Sequence, residues 1–259
     1  MLRTAKITRL GDGRHIRGRA RPNDYKPPAH AKVVEGGIDE AGRGAVLGPL
    51  VVAGIAFDDP DVASRMGCTD SKRLSPDRRR ALDRALRASD GVRFIVRPIE
   101  AETLDEERRS GRTLNEIEVR RFQEIVGLLG APTVYVDAAD VDAARFGNAV
   151  GKGFAGRIVS EHKADLTYPV VGAASILAKV ARDAAIEQLA RRLERRLGLR
   201  VGSGYPSDPD TRAFLAGWHR AYGEWPEGTR TTWATLRDLT GAQASLDAFG
   251  ANGRVAHKP

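Results

Sequence analysis

The chain has 259 residues and a formal net charge of +8, a length that allows one large domain or two small ones with a buried core. Its single cysteine, Cys68, excludes a disulfide framework within the chain and argues against a cysteine-based zinc site. Apolar runs are too short for a transmembrane helix and the N-terminus is polar and arginine-rich, so we predict a cytoplasmic protein with no membrane partner.

The positive charge is concentrated in residues 1–32, which contain nine basic and two acidic residues and carry a net charge of +7. The remaining 33 basic and 32 acidic residues leave the rest of the chain at +1. Because residues 1–32 have few large apolar side chains, we predict a mostly disordered arm. This arm is interpreted either as an electrostatic tether to nucleic acid or as a solvated extension with no dedicated role.

Three β-rich apolar runs follow the arm, at residues 33–38, 49–57 and 91–99. The first run leads directly into Asp39. Because the link at residues 39–48 is short and glycine-rich, we expect a hairpin between the first two strands.

Helices are predicted next. Ser75 and Pro76 are typical of an N-cap and a first helical position. Apolar residues at near-helical spacing predict a helix over residues 114–129, followed by a buried strand at 132–136 and a long helix within 172–199. The last quarter of the chain is also predicted to be helical. This order favours one α/β domain, with a mixed β-sheet flanked by helices and a helical C-terminal portion.

Acidic residues stand at the ends of two predicted strands. Asp39 and Glu40 end the first strand and lead into a glycine-rich turn. Such a turn can cradle phosphate, but adjacent carboxylates would repel it unless divalent cations lie between them. Asp137 ends a second strand, and Asp165 precedes the long helix. A pair of metal ions held by such acids can promote phosphodiester hydrolysis, whereas the alternative interpretation makes them strand-end caps or turn residues.

Six motifs occur in an order that resembles type 2 ribonuclease H, the ribonuclease HII family, over roughly residues 33–239. The sequence is more similar to archaeal than to typical bacterial members. The motifs are Gly37-Ile38-Asp39-Glu40-Ala41-Gly42-Arg43-Gly44 with Gly48-Pro49, Asp70-Ser71-Lys72-Arg73-Leu74, Leu114-Asn115-Glu116, Val136-Asp137, the segment 163–183, and Gly202-Ser203-Gly204-Tyr205-Pro206.

The resemblance implies an RNase H-like fold and an endonuclease that cleaves RNA in RNA–DNA hybrids and duplex DNA 5′ of single ribonucleotides. Such an enzyme removes misincorporated ribonucleotides and RNA primers. It further implies that Asp39, Glu40, Asp137 and Asp165 are catalytic and hold two Mg²⁺ or Mn²⁺ ions. Hydrolysis would leave 5′-phosphate and 3′-hydroxyl ends.

The same resemblance implies a set of substrate contacts. Backbone groups of Gly42, Arg43 and Gly44 would contact the ribose 2′-hydroxyl, which distinguishes RNA from DNA. Tyr205 would stack at the RNA–DNA junction, although core packing is the alternative for this ring. The implied contacts to the phosphates or backbone of the substrate are Lys72, Asn115, Ser175 and Lys179. For the two lysines, the alternative interpretation is that they lie on an ordinary solvated surface.

The C-terminal sequence carries a further motif after the predicted catalytic domain at residues 33–240. Gln243, Leu246 and Phe249 resemble a sliding-clamp-binding peptide within a tail at 241–259. The motif departs from the usual pattern at Gly250, where a second aromatic is common, and a short helix end is the alternative. The resemblance also favours a monomer.

Two rival functions remain open at this stage. Type 3 ribonuclease H has similar chemistry but acts weakly at a single ribonucleotide, and it carries a larger folded N-terminal domain than residues 1–32 could form. A non-catalytic nucleic-acid-binding module on the same fold would lack the acids, yet all four candidates are present.

Overall fold

The computed structural model describes residues 24–26, 35–68 and 74–239. Six strands form one mixed sheet in the order β1-β4-β3-β2-β5-β6. The pairs β1–β4, β4–β3 and β3–β2 are antiparallel, whereas β5 and β6 run parallel to β2. The strands are β1 (Asp24–Lys26), β2 (Glu35–Ala41), β3 (Leu50–Phe57), β4 (Val92–Ile99), β5 (Thr133–Asp137) and β6 (Arg157–Glu161).

Helices cover both faces of this sheet, and several begin where the sequence predicts. The Ser75 side chain accepts a hydrogen bond from the backbone N–H of Arg78 at 3.2 Å, which confirms it as an N-cap. Thr113 and Glu116 form a capping box at the start of α4. The helices are α1 (Asp61–Arg65), α2 (Pro76–Ala88), α3 (Ala101–Arg109), α4 (Leu114–Leu129), α5 (Ala143–Val150), α6 (Ala164–Thr167), α7 (Pro169–Leu197) and α8 (Pro209–Tyr222).

Two hydrophobic clusters sandwich the sheet. On one face, the apolar residues of α7 and α2 pack on the odd-numbered side chains of β3, including Ile55. On the other face, α4 packs on Ile38 and Val136. Helix α7 approaches β2 so closely that a Cβ at Gly37 would lie 2.5 Å from the carbonyl carbon of Val170. A third cluster joins α8 to the end of α7, and the predicted mixed sheet with a helical C-terminal portion is therefore confirmed.

The structure differs from the predictions in several places. The predicted arm contains β1, because residues 24–26 complete the open edge of β4 through backbone pairing that their side chains do not signal. Helix α7 begins three residues earlier than predicted, at Pro169, because proline is well suited to a first helical turn. The strand β6 and the short helices α1, α3, α5 and α6 are additional elements.

Some predictions concern residues outside the described ranges. These are most of the arm, Lys72, and the clamp-like residues Gln243, Leu246 and Phe249. The division into 1–32, 33–240 and 241–259 stays a prediction. In the described part of the chain, no helix is both long enough and apolar enough to cross a membrane; the cytoplasmic location stays a prediction.

Candidate metal centre and its cleft

Three carboxylates meet at one edge of the sheet. Asp39, Asp137 and Asp165 each place an oxygen so that all three oxygens lie within 4.8 Å of one another. Asp39 and Asp165 are buried and Asp137 is half-buried. The backbone N–H of Ala164 donates to Asp137 Oδ1 at 3.2 Å, which ties the third acid to the segment that carries Asp165.

The sheet topology explains why these acids converge. In the parallel pair β2–β5, Ile38 lies opposite Val136. Asp39, which is inside β2 and pairs with Ala53 of β3, therefore lies next to Asp137, the last residue of β5. Side chains alternate between the faces of a strand. Because Gly37 faces α7, Asp39 two residues later faces α7 as well, and Asp165 reaches that face from α6, the short helix preceding α7.

Burial and mutual repulsion make it energetically unfavourable for these carboxylates to be ionised together without a cation. Burial raises the pKa of Asp39 to about 6, opposed by the charge of Lys179 and reinforced by that of Asp137. Lys179 Nζ lies 4.0 Å from Asp39 Oδ2, and Ser175 also donates a hydrogen bond to Asp39. Since hard divalent cations prefer carboxylate oxygens, the three acids form a donor set that fits Mg²⁺ or Mn²⁺.

Glu40 occupies a different position from its neighbour. It lines the same cleft as Asp39 but falls outside the group of three converging oxygens, because alternation along β2 directs it to the α4 face. There it meets Glu118, a buried residue of α4. Burial, followed by repulsion from Asp39 and Glu118, raises the pKa of Glu40 well above its ordinary value.

The loop between β2 and β3 forms a second wall of the cleft. Gly42 has φ +85°, and a Cβ there would lie 2.7 Å from the carbonyl oxygen of Pro49, so this position requires glycine. A Cβ at Gly44 would meet nothing within 4 Å. Arg230 donates from Nε to Gly48 O and from Nη1 to Arg43 O, both at 3.0 Å, and thereby holds both halves of the loop.

The side chain of Arg43 is 36% exposed at the cleft, and its guanidinium is hydrogen-bonded to α4. Its Nε donates to Glu118 Oε2 at 3.0 Å, and its Nη2 donates to Asn115 Oδ1. Asn115 in turn donates to Asp140 at 2.9 Å. Arg43 and Asn115 therefore belong to one hydrogen-bonded network at the edge of the cleft.

The other described candidates lie on α7 and in the loop before α8. Lys179 donates to Ser175 Oγ, and both stand beside Asp39. The guanidinium carbon of Arg182 lies 4.5 Å from the ring centroid of Tyr205, a cation–π contact that orients the ring at the cleft. Only half-buried, Tyr205 is not a core residue, so the structure does not support the core-packing alternative.

Sequence reasoning missed three residues that shape this site. Glu118 lies three positions after Asn115 on one helical face, and Arg182 lies seven after Ser175, so helical spacing could have indicated both. Arg230 carries no such local signal, because its hydrogen bonds reach residues 182 and 187 positions earlier in the chain.

Comparison with known proteins adds an independent observation. The family model for ribonuclease HII matches residues 36–236. A curated ribonuclease HII from Thermococcus onnurineus is 45% identical over 210 residues, which are 78% of this chain and 88% of the relative. The chain belongs to the ribonuclease HII family. The predicted resemblance, including its archaeal character, and the predicted ribonuclease H class of enzyme are thus confirmed.

Other similar proteins match a comparable share of this chain, and the solved structures among them have a similar fold. The protein from Halobacterium salinarum is 42% identical over 219 residues, covering 82% of this chain and 98% of the relative. The solved PCNA:RNase HII complex from Archaeoglobus fulgidus superposes with a TM-score of 0.70 at 43% identity, covering 80% of this chain and 96% of that chain. Bst-RNase HIII in complex with Mn²⁺ has a TM-score of 0.66 at 21% identity, with 82% and 70% coverage, and shows the RNase H-like fold alone.

Proposed function

We propose that this ribonuclease HII cleaves the RNA strand of RNA–DNA hybrids and cuts duplex DNA 5′ of a single ribonucleotide. The observation that carries the proposal is the meeting of Asp39, Asp137 and Asp165 beside the Gly42–Gly44 loop. A carboxylate cluster suits metal-assisted phosphodiester hydrolysis, and the adjacent loop offers backbone groups to a sugar. One cleft therefore combines a place for the reacting phosphate with a place for the ribose.

Asp39, Asp137 and Asp165, joined by Glu40 from the same cleft, would hold two Mg²⁺ or Mn²⁺ ions. Such ions would supply Lewis-acid stabilisation and an activated water for hydrolysis that leaves 5′-phosphate and 3′-hydroxyl ends. Lys179 keeps a positive charge 4.0 Å from Asp39. This charge favours the ionised carboxylate and also attracts the phosphate of the substrate.

Recognition of the ribose is assigned to the loop and to Tyr205. The peptide groups of Gly42, Arg43 and Gly44 would hydrogen-bond the 2′-hydroxyl, since the open space at Gly44 leaves the backbone accessible. Tyr205, oriented by Arg182, would stack on the nucleoside at the RNA–DNA junction. Ser175, Asn115 and Lys72 are proposed as further substrate contacts, Asn115 acting together with Arg43.

The register of β1 supports a role of the basic arm in substrate binding. Asp24 pairs with Val96, Val96 with Ala53, and Ala53 with Asp39, so the four residues form one row across the sheet. Three inter-strand steps of about 4.8 Å place Asp24 roughly 14 Å from Asp39. Strand β1 is antiparallel to β2, so its first residue faces the sheet end that carries the acids. We infer that residues 1–23 bind the phosphate backbone of the same duplex.

A sliding clamp is the proposed protein partner. The solved complex of the Archaeoglobus fulgidus relative joins ribonuclease HII to PCNA. In this chain, Gln243, Leu246 and Phe249 are the proposed contacts. The chain is proposed to act as a monomer.

Two substrates offered side by side test the proposed activity. With Mg²⁺ or Mn²⁺, we expect cleavage both of an all-RNA strand in a hybrid and of a duplex with one ribonucleotide, and no cleavage of the all-DNA duplex. Cleavage of the hybrid alone would favour type 3 behaviour. Binding of both substrates without cleavage would favour a non-catalytic module.

A further inference from the structure

Glu118 is a buried acid that the proposed hydrolysis does not use. Its side chain has 0% exposure, and Oε2 accepts from Arg43 Nε at 3.0 Å. Within the described residues, its second oxygen, Oε1, has no hydrogen-bond partner. A carboxylate in such a place is costly unless a specific partner compensates its charge, and Arg43 is the cation in direct contact.

Glu118 does not favour ionisation of Glu40, the neighbouring carboxylate of the candidate metal centre. Its negative charge opposes ionisation of Glu40, and burial raises the pKa of Glu118 itself to about 7, opposed by the charge and hydrogen bond of Arg43. The favourable interaction of Glu118 is therefore directed away from the acids and toward the glycine loop.

Three side chains, two of them on α4, hold Arg43 in place. Glu118 and Asn115, one helical turn apart on α4, hold its guanidinium. Arg230 donates to its carbonyl oxygen at 3.0 Å. Both the side chain and the carbonyl oxygen of Arg43 are hydrogen-bonded within the protein. The peptide groups that link Arg43 to Gly42 and Gly44 therefore have few accessible conformations.

We propose that Glu118 is a positioning residue that holds the Gly42–Gly44 backbone in the conformation that reads a ribose, acting through Arg43. The inference rests on the proposed ribonucleotide specificity of the cleft. A preorganised loop binds its ligand without an ordering cost at the moment of binding, so loosening it weakens recognition of the 2′-hydroxyl and leaves other contacts unchanged.

Binding under non-cleaving conditions tests this role. With Ca²⁺ in place of Mg²⁺, we compare Kd for a duplex containing one ribonucleotide with Kd for the all-DNA duplex. Glu118→Gln should reduce the wild-type preference for the ribonucleotide by about tenfold. Its affinity for the all-DNA duplex should stay unchanged. The matched control is Glu124→Gln on the same helix, whose carboxylate pairs at 3.0 Å with Arg97 near the surface.

Hydrogen exchange gives a second readout that needs no substrate. The amide of Ala45, which donates to Gly42 O at 3.2 Å, should exchange faster in Glu118→Gln than in wild type or Glu124→Gln, while the core strands keep their protection. If Glu118→Gln does not fold, Arg43→Lys serves as the second variant, because it keeps the charge but loses the guanidinium fork. It should likewise reduce the preference for the ribonucleotide and speed amide exchange in the loop.

The outcomes separate this inference from the proposed function. A wild-type protein with no preference for the ribonucleotide would overturn the proposed specificity, and the inference with it. A wild-type preference retained in full by Glu118→Gln, with unchanged exchange at the Ala45 amide, would overturn the positioning role alone. Equal losses in Glu124→Gln would also overturn it.

Discussion

Arg230→Met is expected to lower the free energy of unfolding by about 2–4 kcal/mol. The guanidinium of Arg230 is fully buried and donates to Gly48 O and Arg43 O at 3.0 Å each. Removing it leaves two acceptors without these donors, and each unsatisfied buried acceptor costs about 1–3 kcal/mol. Part of this cost is offset, because burial, then repulsion from Arg182, lowers the pKa of Arg230 to about 10, so the folded protein already disfavours this cation.

Thermal unfolding of the metal-free protein measures this loss. For a domain of this size, the expected decrease in Tm is roughly 4–16 °C. Arg230→Lys should fall between wild type and Arg230→Met, since one ammonium keeps the charge but lacks the fork that spans both carbonyls. The matched control is Arg200→Met, whose side chain is 83% exposed beside Asp210 and whose loss should change Tm little. An Arg230→Met protein with the Tm of wild type would refute the idea that Arg230 stabilises the loop between β2 and β3.

Three further predictions concern metal, arm and clamp. Since the raised pKa values of Asp39, about 6, and Glu118, about 7, mean that unfolding releases protons, the stability of the metal-free protein should fall as pH rises from about 4.5 to 7. Adding Mn²⁺ above that range should raise Tm; a pH-independent Tm that Mn²⁺ leaves unchanged would contradict the donor set. Deleting residues 1–22, which carry seven basic residues, should weaken binding of any duplex and reduce the slope of log K against log salt by up to about six, without abolishing cleavage. An unchanged slope in filter-binding titrations would show that the arm does not touch the substrate. Phe249→Ala should abolish co-elution with a sliding clamp in gel filtration, and retention of the complex would refute the assigned motif.

Much of the fold could be predicted because its signals are local. Ser75 and Pro76 marked a helix start through capping chemistry. Apolar spacing placed α4 at Leu114–Leu129 with the observed bounds. The acids were recognisable because a carboxylate directly after an apolar run seldom serves the core. The first strand nevertheless extends further than predicted, since β2 continues through Asp39 and Glu40 to Ala41. The convergence of the acids on β2 and β5 followed from the parallel pairing of these two strands.

Other features depend on contacts that no local pattern encodes. The strand β1 is ordered by the edge of β4, and its three residues have no alternating apolar pattern of their own. The separation of Glu40 from the converging oxygens depends on which face of β2 meets α7. Arg230 reaches the loop across most of the chain. These features require knowledge of which surfaces meet, and the sequence alone did not provide it.

Cutting of an end-labelled duplex DNA with one ribonucleotide tests the central claim most directly. With Mg²⁺ or Mn²⁺, wild-type protein should make one cut 5′ of the ribonucleotide and leave a 3′-hydroxyl end. Asp39→Asn should bind the duplex yet leave it intact, while Asp77→Asn, at an exposed position on α2, should cut like wild type. An intact duplex with wild type, or equal cutting by Asp39→Asn, would contradict a carboxylate centre that hydrolyses the strand at a ribonucleotide.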